Sequence, residues 1–250
     1  MITTTKNLEL FLETRKLTEQ ICKPLEIEDY VVQPVEFVSP PKWHLGHTTW
    51  FFEEFILKKH KEAYQIFDEQ FSYVFNSYYE SVGEKVIRTN RGNLSRPTVN
   101  RIYEYRKYVT EALVEFLNEN EISQELEAVL EIGIHHEKQH QELLLTDIKY
   151  ILGNNPLLPI YHKNFNESKI ENHSHKWLSI EEGVYEIGKP EDGEFCYDNE
   201  KGRHKVYLNE FFISNKLVTN EEYLEFMEAG GYQDVLLWHA EAWDWITTEK

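Results

Sequence analysis

The chain has 250 residues, 41% of them hydrophobic and 14% aromatic, which excludes a disordered polypeptide and allows one large domain or two modest ones. A formal net charge of −18 disfavours a nucleic-acid backbone or an anionic membrane surface as principal partner, since both reward dense cationic surface; small polar substrates remain open. Cys22 and Cys196 stand far apart with no CxxC, which argues against a disulfide framework or a cysteine zinc site. The N-terminus lacks a signal-like apolar core and no apolar run approaches the roughly 20 residues of a membrane span, so the expected setting is soluble and cytoplasmic.

From Lys6 to Cys22, Leu8, Phe11, Leu17 and Ile21 recur at helical spacing among charged residues and predict a first amphipathic helix. After a loop with Pro24 and Pro34, the segment Ser39–Leu57 opens on a capping serine and prolines suited to a first turn. It predicts a second helix on which Trp43, His47, Trp50 or Phe51, and Glu54 share a stripe. Phe71–Glu80 is too aromatic and irregular for a periodicity assignment and reads as a packed connection. Gly92 and Pro97 break the Arg88–Thr98 segment, and Thr98 caps a third helix running to about Asn118. Ser123 caps a fourth, which carries Leu126, Leu130, Ile134, Leu144 and Ile148 and ends near Gly153. Four amphipathic helices joined by connections of varied length predict a four-helix bundle, a fold that assembles metal sites from facing helices.

Beyond Leu157 the character changes. Residues 162–175 are polar and read as a linker; Trp177–Ile180, Gly183–Gly188 and His204–Ile213 read as strands between Gly and Asn breaks. Thr219 or Asn220 caps a short helix with Gly230 and Gly231 past its end. The aromatic-rich stretch with Trp238, Trp243 and Trp245 is unlike the end of a free-standing small domain. The expected class is therefore α+β: a helical domain over residues 1–160, a linker over 161–175 and a second, incomplete domain over 176–250.

The chemistry-bearing stretch is Glu131–Asp147, where His136 and His140 stand one turn apart on one helix face and can converge on one metal ion or substrate. His136–His140 also spells HExxH, the zinc-protease pattern in which Glu137 would be the general base. That reading needs a further ligand downstream, and Gln141–Tyr150 offers no such pattern. His47 lies upstream instead, on another helix. Three imidazoles from two helices can hold a divalent metal and leave coordination positions open. His44 and His135 read as packing or hydrogen-bonding neighbours rather than ligands. Five of the seven arginines fall between Arg88 and Arg106. A solvated helix face accounts for Arg101 and Arg106, whereas Arg88 and Arg91 sit in a Gly/Asn/Ser loop, where forked guanidiniums suit carboxylates.

The segments Ser39–Glu53, Phe75–Glu80, Arg91–Pro97 and His136–Asp147 together resemble the EgtB family of ergothioneine biosynthesis, the hercynine oxygenases or sulfoxide synthases. Gly183–Gly188, Phe195–Glu200 and Val218–Tyr223 resemble the opening of the formylglycine-generating-enzyme-like (sulfatase-modifying factor, C-type-lectin-like) domain that follows in that family. The resemblance implies a DinB-like four-helix domain with His47, His136 and His140 as ligands of Fe(II), Gln139 as a contact to the histidine-derived substrate, and Arg88 and Arg91 as binders of the thiol substrate's carboxylates. It implies a reaction joining the sulfur of cysteine or γ-glutamylcysteine to the imidazole C2 of Nα-trimethylhistidine (hercynine) with O2, giving a sulfoxide. The family's active-site tyrosine would lie beyond position 250, so the chain is expected to be a truncated or split-gene form with a separately encoded C-terminal half. The alternatives are a non-catalytic DinB-like metal-binding module or inactive fragment, and an ovothiol- or selenoneine-type synthase.

Overall fold

Thr98 and Ser123 cap the two longest connected helices as their positions predict: Thr98 Oγ1 accepts from the Arg101 N–H and Ser123 Oγ from the Leu126 N–H, each at 3.2 Å. The computed structural model describes residues 2–77, 83–163 and 174–249. The chain divides into two compact units, Met1–Asn166 and Glu167–Lys250. In the first, the long helices are α1 (Ile2–Cys22), α2 (Pro41–Phe52), α5 (Val99–Glu119) and α6 (Gln124–Gly153), with short helices α3 (Lys58–His60) and α4 (Phe71–Phe75) between them. α1 packs on α6, and α2 packs on both α5 and α6, around a core that includes Phe11, Phe52, Ile102, Leu113, Leu130 and Leu144.

Two of the helix faces differ from the sequence expectation. On α1, Leu17 is 47% exposed, and Thr14, Arg15 and Thr18 are buried in its place. Those polar groups turn inward because a buried carboxylate, Glu137, waits opposite them. All twelve residues of α2 are buried, so it is the central helix of the unit and is not amphipathic. Ser39 does not cap it. Pro40 occupies the cap position without a side-chain hydrogen bond, and Ser39 is drawn to other partners.

After Phe52 the helix widens into a π segment, Glu53–Leu57, before α3. Glu53, buried in this turn, accepts from Tyr64 Oη at 2.7 Å, Tyr105 Oη at 2.6 Å and the Phe67 N–H at 3.2 Å. Three donors satisfy the carboxylate without a cation and pin the connection that leads into α4. The unassigned Phe71–Glu80 segment thus begins as one helical turn, while residues 78–80 lie outside the described residues.

Two glycines set how closely α2 is approached. A Cβ on Gly46 would come within 2.2 Å of the Phe75 ring, and one on Gly133 of α6 within 2.6 Å of Phe52. Gly46→Ala therefore overpacks a closed core and is expected to cost about 1–3 kcal/mol, read as a lower denaturant midpoint at unchanged m-value. An unchanged midpoint would show that Phe75 can move aside freely.

The second unit holds two antiparallel pairs, β1 (Trp177–Ile180) with β4 (Phe211–Ser214) and β2 (Gly183–Ile187) with β3 (His204–Leu208). The continuous strand expected over His204–Ile213 is broken at Asn209 and Glu210 into β3 and β4. Thr219 caps α7 (Asn220–Glu228) in a reciprocal capping box with Glu222, as the sequence predicts. α8 (Ala240–Thr248) covers the tryptophan-rich stretch, which carried no helix expectation. Ile246 is the one buried apolar side chain among the described residues of this unit, and Trp177, Phe212 and Leu236 are exposed. Most of the residues assigned to the linker, 164–173, lie outside the described residues. The class is α+β: a helical unit followed by a small sheet-containing one.

Candidate metal centre

His47 comes from the buried middle of α2, and His136 and His140 from the facing stretch of α6. The i,i+4 spacing stacks the two α6 rings, and Gly133, three residues before His136, lets α6 come close to α2. One potential ligand nitrogen from each of the three histidines falls within 4.8 Å of the other two. His47 Nε2 and His136 Nε2 are 3.1 Å apart, and the ring of His140 is centred 4.7 Å from both other rings. Burial first, and then the mutual proximity of the rings, pushes His47 and His140 well below the ordinary histidine range, and burial brings His136 down to about 4. Three neutral imidazoles whose ring nitrogens lie this close together are a donor set for a divalent transition metal.

The hydrogen bonds around the rings fit that use. His47 Nδ1 donates to the Phe75 carbonyl at 2.6 Å, which leaves Nε2 as the lone-pair nitrogen. His136 Nδ1 is buried without a hydrogen-bond partner. His44 sits beside the trio, bonded through Nε2 to Asp147 Oδ2 at 2.9 Å and through Nδ1 to His140 Nδ1 at 2.9 Å. It is therefore a hydrogen-bonded neighbour of the cluster. The rings are also clamped by aromatics: His47 is stacked between Trp43 and Trp50, with centroids 4.5 Å and 5.6 Å away.

A cavity of about 800 Å³ opens over the cluster. His47, His136, His140, Arg88, Arg91 and Gln139 all line it, so the six residues singled out in the sequence share one wall system. Arg91 is buried; it donates to Ser39 Oγ at 2.9 Å and Ser77 Oγ at 3.1 Å, and its guanidinium lies 3.3 Å from the centre of the Trp43 ring. Arg88 is exposed at the cavity edge and donates to the Phe37 carbonyl. Cations on one wall and open space above three histidines suit a small anionic ligand held next to a metal.

Glu137, the central residue of HExxH, points the other way. It is fully buried between α1, α5 and α6, where Oε1 accepts from Arg106 at 2.5 Å and Thr18 at 2.7 Å, and Oε2 accepts from Arg15 at 3.0 Å. Burial alone would raise its pKa, but Arg106 and Arg15 outweigh it and hold the carboxylate at about 2. A carboxylate so paired, and outside the cavity lining, is not a general base for water at the metal site. Arg106 also differs from expectation: it is not part of a solvated face but is buried against Glu137. Sequence reasoning gave Ser39 a helix cap and Trp43 a place on the His47 stripe, not a place in the cavity wall, and it left Asp147 without a role. Asp147 lies seven residues after His140, two helical turns along the same face, and that spacing was the available signal.

A helical bundle with a partly buried three-histidine face, followed by a small sheet-containing unit, defines the class. Residues 10–144 match the DinB superfamily and residues 163–250 match the sulfatase-modifying factor enzyme 1-like domain. The chain belongs to the DinB superfamily and carries in addition part or all of a domain similar to the sulfatase-modifying factor type. No curated protein sequence matches it. No helix among the described residues is long and apolar enough to cross a membrane.

Proposed function

We propose that this chain is the metal-binding part of an Fe(II)- and O2-dependent sulfoxide synthase of the ergothioneine type, joining the sulfur of cysteine or γ-glutamylcysteine to C2 of hercynine. The observation that carries the reading is the three-histidine cluster at the floor of a cavity whose wall holds Arg88 and Arg91. The order of a DinB-like unit and a sulfatase-modifying-factor-like domain supports it, since that pairing is the EgtB-type architecture. The reaction balances as hercynine C2–H plus thiol S–H plus O2 giving the C–S(=O) product and water. Iron held by His47, His136 and His140 would supply O2 activation and an open coordination sphere for the sulfur.

The protein's own residues do the rest. Imidazoles held neutral do not have to give up a cationic proton before they ligate a metal. Arg91, fixed by Ser39 and Ser77 and laid on Trp43, presents an immobilised cation, and Arg88 at the edge offers a second, so the thiol substrate's carboxylates are drawn to one wall. Gln139, exposed in the cavity one residue before His140, is placed to hydrogen-bond the histidine-derived substrate. The exposed apolar side chains of the second unit favour a further polypeptide segment, in the same chain or separately encoded, that covers them. The expected partners are thus small molecules and that segment, with neither nucleic acid nor membrane, in the cytoplasm.

The test is anaerobic Fe(II) loading of the 250-residue chain, then O2 with hercynine and each thiol, with the product identified by mass. O2-dependent sulfoxide supports the synthase. Stoichiometric Fe(II) binding without product, even when the C-terminal half is supplied, favours the non-catalytic metal-binding module, for which all ligands already lie in the first unit. Turnover with another histidine derivative or a selenium donor moves the reading to the ovothiol or selenoneine type. Absence of metal binding overturns all three.

A further inference from the structure

Asp147 bonds two separate parts of the cavity wall with a single oxygen. Its Oδ2 accepts from His44 Nε2 at 2.9 Å and from the Ser39 backbone N–H at 2.9 Å. A carboxylate only accepts, so His44 carries a proton on Nε2, and a neutral His44 then has its lone pair on Nδ1. That nitrogen lies 2.9 Å from His140 Nδ1. Two ring nitrogens at this distance share one proton, and with His44 accepting, the proton belongs to His140 Nδ1. Nε2 of His140 is left with the free lone pair. The opposite arrangement needs a cationic His44, at a residue that is 2% exposed.

The other arm runs from Asp147 through Ser39 to the cationic wall. Ser39 Oγ accepts from Arg91, whose guanidinium lies on one face of Trp43, and the Trp43 ring stacks on His47 with 14° between planes. A ligand on α6 and a ligand on α2 are thereby tied, by different routes, to the same carboxylate.

We propose that Asp147 and His44 are a positioning pair for the metal centre, holding His140 in the Nδ1–H tautomer that frees Nε2 for coordination. The pair acts through His140, which it orients from the wall of the cavity. The inference rests on the metal-site reading of the three histidines, and it extends the general pattern in which a carboxylate orients a ligating imidazole by interposing a second imidazole.

The tautomer is read in the metal-free, 15N-labelled full chain from long-range ring 1H–15N correlations. Unconstrained histidines favour Nε2–H, so Nδ1–H at His140 is a specific expectation. His47, held by the Phe75 carbonyl, should also be Nδ1–H and serves as the internal standard. His44→Phe and Asp147→Ala should move His140 toward Nε2–H while leaving His47 unchanged, and should weaken anaerobic Co(II) binding by about 10–100-fold. Asp147→Asn keeps an acceptor oxygen for His44 and Ser39, so it should retain the wild-type tautomer and most of the affinity. His44→Phe carries the test if the alanine variant fails to fold. Nε2–H at His140 in the wild type overturns the proposal, as does a tautomer and Co(II) affinity common to every folded variant. If the wild type binds no Co(II) yet shows Nδ1–H, the hydrogen-bond pair stands and the metal reading falls.

Discussion

Glu137→Ala will lower the stability of the helical unit by about 3–5 kcal/mol, the usual cost of removing one partner from a buried ion pair. The reason is what the carboxylate leaves behind. Arg15 and Arg106 are 3% and 1% exposed, and without Glu137 two guanidiniums face each other with Thr18, Thr48 and Thr49 as neighbours. Glu19, the other carboxylate near Arg106, bonds its Nε at 3.3 Å and is itself half in water, so it cannot replace a buried counter-charge. At about 2–4 °C per kcal/mol for a domain of this size, the melting temperature should fall by roughly 10 °C. Glu137→Gln keeps the shape and one acceptor oxygen and should lose less. Because Glu137 is outside the cavity, the Gln variant should bind metal like the wild type; a large loss of metal affinity with no loss of stability would show that the carboxylate acts on the metal site and not only on the core.

His47→Ala will weaken Fe(II) or Co(II) binding by more than about 100-fold, since even the partners of ligands cost 10–100-fold when removed. The effect should also appear as lost ligand-linked stabilisation. Wild-type protein with metal at a hundred times its dissociation constant gains about 2.7 kcal/mol, and a chelator removes it. The variant's melting temperature should respond to neither metal nor chelator. His47 is packed between Trp43 and Trp50, so the substitution also opens a cavity, and His140→Ala, on the more exposed side of the cluster, supplies the control. Both variants must lose the metal response. Retention of wild-type affinity in either would remove that residue from the ligand set.

The histidine face was legible because it is local. An i,i+4 pair on a continuous helix must share a face whatever the tertiary structure does, and the caps Thr98, Ser123 and Thr219 each act on the N–H group three residues on. His47 could be added because it fell on a second helix among aromatics. The burial of Arg106 and of the Thr14–Arg15–Thr18 face was not legible, because periodicity counts apolar residues as inward, and here a pair of cations and a carboxylate satisfy one another in the core. Leu17 lost its place to that network.

By itself, then, the sequence determined the four long helices, the capped starts of α5 and α6, the α+β class and the pairing of His136 with His140, all consequences of spacing along one chain. Tertiary structure alone decided that α2 is buried on every side, that Ser39 serves Asp147 and Arg91 instead of a helix end, and that Glu137 faces away from the cavity. Each depends on which residue from a distant segment arrives opposite. A hydrogen bond or ion pair across about 100 residues leaves no period in the sequence to read.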